Sequence, residues 1–124
     1  MFKNNMSRAA LDFLKRVWPE EKNIDNVNIE NELGENALHY AVIWNELEAA
    51  ELLVNAGINI NKKGENGYTP LHEAVEQNNE KMVLYLVGAG ANLSEINELG
   101  QTPAEMAKGY EFFRIYNALQ KHNK

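Results

Sequence analysis

Three histidines, two serines and no cysteine are the side chains from which this chain of 124 residues could build nucleophilic or metal chemistry. Without cysteine there is no thiolate nucleophile, thiolate zinc site, iron–sulfur cluster or disulfide framework. His39, His72 and His122 stand 33 and 50 residues apart, so no pair has the i, i+4 spacing by which one helix offers two imidazoles to a metal. Ser7 and Ser94 are the only serines, and no glycine-rich loop is built to cradle a phosphate. The expectation is a protein that is not an enzyme and needs no cofactor and no metal.

Two of the histidines fall into a different pattern. Asn36 precedes His39 by three positions, as Thr69 precedes His72 and Thr102 precedes Glu105. A polar residue followed three positions later by a side chain able to reach back is a capping box, which satisfies free N–H groups at a helix start. Glutamate is its usual third member, so finding Glu105 where His39 and His72 stand favours a structural role for both histidines. Pro70 and Pro103 follow Thr69 and Thr102 at the first helical position, where the missing N–H costs nothing. In the first unit Asn36-Ala37 replaces Thr-Pro: the cap remains, and the proline stiffening is lost.

Those marks recur because the sequence repeats. Gly34, Gly67 and Gly100 are separated by 33 residues each time, as are Ala41, Ala74 and Ala107. The glycines fit tight turns that need a positive φ. Glu51-Leu-Leu-Val-Asn-Ala-Gly57 lies one period before Leu84-Tyr-Leu-Val-Gly-Ala-Gly90, and Gly57 and Gly90 supply a stop for each second helix. Leu38, Ala41 and Val42 form one apolar stripe, and Ala49, Ala50, Leu52 and Leu53 a second. Each unit is thus two short antiparallel helices. One unit cannot bury its own apolar face, so stacked copies must share a core.

The segment Gly67-Tyr-Thr-Pro-Leu-His-Glu-Ala74 resembles the signature of the ankyrin repeat, and the resemblance extends from Asn31 to Leu119. It implies an all-α solenoid of stacked helix-turn-helix units with β-turn or hairpin loops. The expected layout is one domain over 1–124: an N-terminal capping helix and degenerate repeat at 1–30, repeats at 31–63 and 64–96, and a third repeat with the C-terminal cap at 97–124. Ser7 to Val17 reads as the capping helix, with Ala10, Phe13, Leu14 and Val17 on one face, ended by Pro19 and accompanied by a core Trp18. Phe112, Phe113, Ile115 and Leu119 are expected in the last helix.

The chain is 44% apolar and 24% charged, with a formal net charge of −6. That charge disfavours nucleic acid and anionic membrane surfaces, and no apolar stretch approaches the length of a membrane span. The N-terminus offers no uninterrupted apolar segment of signal-peptide length, so the expected location is cytoplasmic. The resemblance adds delivery into a host cell as the alternative, since ankyrin proteins of bacterial pathogens are sometimes delivered that way.

By the resemblance, the chain is a non-catalytic protein–protein interaction module, an adaptor or inhibitor; the alternative is a structural or targeting fragment of a longer array, or a bacterial effector. Partner contacts would fall on the turn tips, here Leu33, Glu35, Glu65, Asn66, Tyr68, Leu99 and Gln101 with Glu32 and Glu98 beside them. They would extend to the exposed face of the first helices, at Ile43, Trp44, Glu76, Gln77 and Tyr110. Trp44 stands where the family usually has a small or polar residue, and aromatic residues dominate binding hot spots. The expected partner of the monomer is a protein with a basic or apolar patch, because the tips are acidic.

Overall fold

A computed structural model of the chain describes residues 6–122; residues 1–5 and 123–124, the outermost parts of the two expected caps, lie outside them. Among the described residues the helices run α1 (Arg8–Val17), α2 (Ala37–Ile43), α3 (Leu47–Asn55), α4 (Pro70–Glu76), α5 (Glu80–Gly88), α6 (Pro103–Gly109) and α7 (Phe113–His122), with a 3₁₀ turn at Glu65–Gly67. No helix among these residues is long and apolar enough to cross a membrane.

Helices α2, α4 and α6 begin where the capping residues stand. Asn36 accepts from the backbone N–H groups of Leu38 and His39, Thr69 from that of His72, and Thr102 from that of Glu105. In return, His39, His72 and Glu105 accept the N–H of Asn36, Thr69 and Thr102 at 3.1, 3.1 and 2.9 Å. All three expected capping boxes are present, including the one without proline.

Each histidine also does something the pattern does not contain. With Nδ1 accepting, the neutral ring must carry its proton on Nε2. That N–H donates across to the next unit: His39 to the Tyr68 carbonyl and His72 to the Gln101 carbonyl, both at 3.0 Å. One buried side chain therefore closes its own helix and fastens it to the following hairpin. Burial lowers the pKa of both rings below the usual histidine value, partly opposed by those carbonyls, so the neutral bridging form is favoured.

Turns between units follow the glycines, with Gly34, Gly67 and Gly100 at φ of 84°, 72° and 75°. At Gly67 the requirement is double. A Cβ there would lie 2.9 Å from the backbone nitrogen of Glu98, which donates to the Asn66 carbonyl and ties the second tip to the third.

Helices α2, α4 and α6 form an inner row and α3, α5 and α7 an outer one, with α1 packed on α2 and α3. The inner helices pack closely on one another, α2 on α4 and α4 on α6. Small residues permit this: Ala37, Ala41, Ala74 and Ala107 are fully buried. Leu38, Leu53, Leu71 and Leu86 fill the space between rows, each contributing about 2 kcal/mol by leaving water.

The ends depart from expectation in two places. Phe112 precedes α7 and closes the end of α6 by donating its N–H to the Ala107 carbonyl at 2.9 Å. Phe113 opens α7 as expected and is 54% exposed, since the buried stripe of that helix runs through Ile115 and Leu119 and Phe113 lies two positions off it. At the other end α1 buries Ala10, Phe13, Leu14 and Val17 as expected. Trp18 is only half-buried, edge-on to Tyr40, and its indole N–H is buried without a hydrogen-bond partner.

Candidate binding surface

The twelve residues expected to meet a partner separate by burial. Leu33 and Leu99 stand out from the first and third tips, 52% and 82% exposed. Glu65, Asn66, Ile43, Trp44, Glu76, Gln77 and Tyr110 are also exposed, while Tyr68 and Gln101 are half-buried.

Glu35 corrects the expectation, being only 8% exposed. Its carboxylate accepts from the Asn31 side-chain amide at 3.0 Å. The space it occupies is made by the next unit. Gly64 stands where the flanking units have Asn31 and Asn97, and a Cβ on Gly64 would lie 2.5 Å from Glu35 Cγ. Glycine at that position lets the second hairpin close over the glutamate.

The aromatic residues fall into two groups. Trp44 caps the end of α2 and packs edge-on against Phe13 at 5.8 Å and Tyr40 at 5.5 Å between centroids. The Arg16 guanidinium lies 5.4 Å over its ring and pairs with Glu46 at 2.8 Å. Trp44 thus spends half its surface holding α1 to the first unit. Tyr68 and Tyr110 meet instead at Glu76, both hydroxyls donating to the same carboxylate oxygen at 2.8 and 3.5 Å. Burial and the Glu76 carboxylate push the Tyr68 phenol well above its ordinary range, so it stays a donor. Beyond Tyr68 a cavity of about 280 Å³ opens between the second and third tips, lined by Asn66, Tyr68, Asn97, Glu98 and Leu99.

The sequence reading missed Glu73. It lies on α4, one turn before Glu76, at the register position that holds Tyr40 in the first unit and Met106 in the third. That position faces a neighbouring unit, and Met106 is buried there. Glu73 is half-buried, and its carboxylate makes neither a hydrogen bond nor an ion pair among the described residues. Burial, then the charges of Glu76, Glu35 and Glu65, raise its pKa to about 7. Comparing the units at a spacing of 33 would have flagged it, since a carboxylate interrupts an otherwise apolar column.

Ion pairing on the rest of the molecule makes that isolation stand out. Among the described residues the basic side chains pair with Asp12, Glu30, Glu46, Glu80 and Glu95; none reaches Glu35, Glu65, Glu73, Glu76 or Glu98. No group of three or more side chains suited to a metal gathers among these residues. What the surface offers is hydrogen-bond acceptors, aromatic rings and exposed leucines on the turn tips and inner helices of the stack.

A family model described as ankyrin repeats, in three copies, matches residues 3–97. No curated protein matches the chain.

Proposed function

From the premise that this chain belongs to the ankyrin-repeat family, we propose that it is a non-catalytic adaptor or inhibitor that holds a partner protein along its inner-row helices and turn tips. Proteins of this family generally mediate protein–protein interaction. The observation that carries the proposal is the alignment of exposed apolar side chains: Leu33 and Leu99 at the tips, and Ile43, Trp44 and Tyr110 at the ends of inner helices. A side chain such as Leu99, 82% in water, gains from being covered, and a rigid scaffold that already presents it lowers the ordering cost of binding.

The alternative, a segment on which a further repeat stacks, has less support from the outward face of the third unit. Lys108 is exposed where Val42 and Val75 are fully buried, and Glu105 is exposed where His39 and His72 are buried. Those substitutions suit water better than another apolar helix pair.

The test is site-specific photo-crosslinking in an extract of the source cells, with the crosslinker at position 99 or 110 and, as control, at position 84. Leu84 is also exposed and apolar but belongs to the outer row. One partner recovered from 99 and 110 and not from 84 supports the proposal. Equal recovery from all three, or from 84 alone, overturns it.

A further inference from the structure

We infer that the partner presents a basic, extended segment to this face, a lysine or arginine pairing with Glu73 and Glu76 and an apolar neighbour covering Leu99. The inference rests on the reading of the face as a docking surface and adds the chemistry of what docks there.

Charge is the first argument. The charges of Glu76, Glu35 and Glu65 all act on Glu73, and among the described residues no basic side chain pairs with any of the four. The two lysines in the loop before the second tip are engaged elsewhere: Lys62 with Glu30 at 3.0 Å, and Lys63 with Glu95 at 3.4 Å and the Ile96 carbonyl at 2.8 Å. A cation arriving from outside therefore meets carboxylates with no competing cation among the described residues, in a partly desolvated place where a charge pair is stronger than on open surface.

Shape and surface chemistry give the second argument. The Tyr68 hydroxyl reaches Glu76 on one side, and the Tyr68 side chain lines the cavity shared with Leu99 on the other. An extended chain crossing Tyr68 would place one side chain at the carboxylates and a neighbour against Leu99. The hydroxyls of Tyr68 and Tyr110 both converge on the Glu76 carboxylate and hold it in place beside the cavity. An anionic ligand is disfavoured by the same field, which belongs to a chain of net charge −6.

The probes are three fluorescein-labelled short peptides, alternating leucine–lysine, leucine–serine and leucine–glutamate, followed by anisotropy at about 50 mM salt, where surface charges are weakly screened. The leucine–lysine peptide should bind about tenfold or more tighter than the other two. Glu73→Gln/Glu76→Gln should remove most of that preference. Glu20→Gln/Glu21→Gln, which removes the same charge from an exposed loop, should leave it within about twofold. Should the first double variant melt early, Glu76→Gln alone, at an exposed position, replaces it. Equal losses from both double variants would reduce the effect to bulk charge and overturn the inference. So would a leucine–lysine peptide bound no more tightly than leucine–glutamate. In that case binding of the leucine–serine peptide that is lost on Leu99→Ala would still support the docking face, and with no peptide binding at all the crosslinking at positions 99 and 110 decides the face separately.

Discussion

Replacing Glu73 by methionine, the residue its register partner Met106 provides, should stabilise the protein. In the folded state the pKa of Glu73 is raised from the ordinary carboxylate value of 4.5 to about 7, first by burial and then by Glu76, Glu35 and Glu65. In the unfolded chain it ionises near 4.5. Below that value both states hold the proton and the group is indifferent to folding. Between 4.5 and 7 the folded state binds more protons than the unfolded one, so stability falls as pH rises, and the loss is complete above 7. At full strength the shift corresponds to roughly 3 kcal/mol. Solvent screening at a half-buried site leaves about 1–2 kcal/mol, which Glu73→Met should recover at neutral pH. For a domain of this size that is about 3–10 °C in Tm. The assay is urea unfolding of both proteins followed by circular dichroism from pH 5 to pH 8. The readout is the gap between the two stabilities, because His39 and His72 contribute equally to both curves. That gap should be largest at pH 8 and shrink toward pH 5. A gap independent of pH, or a variant less stable than the wild type at pH 8, would refute the reasoning that Glu73 is held charged at a cost.

Other substitutions test the remaining parts of the frame. His72→Ala leaves the Thr69 N–H without its acceptor and the Gln101 carbonyl without its donor, and should cost about 2–4 kcal/mol by urea unfolding; Glu105→Ala, at the same register position but exposed, should cost about 1 kcal/mol or less. Because burial holds both histidines below their ordinary pKa, protonation favours the unfolded chain, and the stability of Glu73→Met should decline as pH drops below about 6.5. Gly67→Ala should be far more damaging than Gly100→Ala. Both have positive φ, worth about 1 kcal/mol or more in strain, but only the first would drive a Cβ into the backbone at Glu98; nothing lies within 4 Å of the second. Trp44→Ala should cost about 1–2 kcal/mol and raise amide exchange in α1 selectively, since its ring packs on Phe13. An unchanged Tm and unchanged exchange would show that the ring is free for a partner alone.

What could be read from the residues in order was whatever depends on a few neighbours along the chain. Capping boxes, turn glycines and the stripe of α1 are local devices, and each appears where the sequence places it. Contacts that close between units were less legible. The donation from His39 to the Tyr68 carbonyl spans 29 residues, and nothing near His39 announces it. The burial of Glu35 is written at Gly64, in the following unit, where a missing side chain makes the room.

The repeat makes exceptions informative, because each position has counterparts that state what the fold requires there. Two kinds of exception occur. Lys108 and Glu105 replace a buried valine and a buried histidine on the outward face of the third unit, where water solvates them at little cost. Glu73 interrupts a column of Tyr40 and Met106 inside the stack, where solvation is incomplete, three carboxylates repel it and no cation among the described residues answers it. Residues that break a local rule without local compensation are where binding or catalysis is to be sought, and stability given up at one position is commonly the counterpart of activity there. A cation paired with Glu73 would reverse both penalties at once, restoring the charge balance and drawing its proton off near neutral pH. Binding of a basic segment should therefore release protons when carried out close to pH 7 and release almost none at pH 9, where Glu73 is already ionised. Calorimetry in buffers of different ionisation enthalpy measures that difference, and equal proton release at the two pH values would remove Glu73 from the interface.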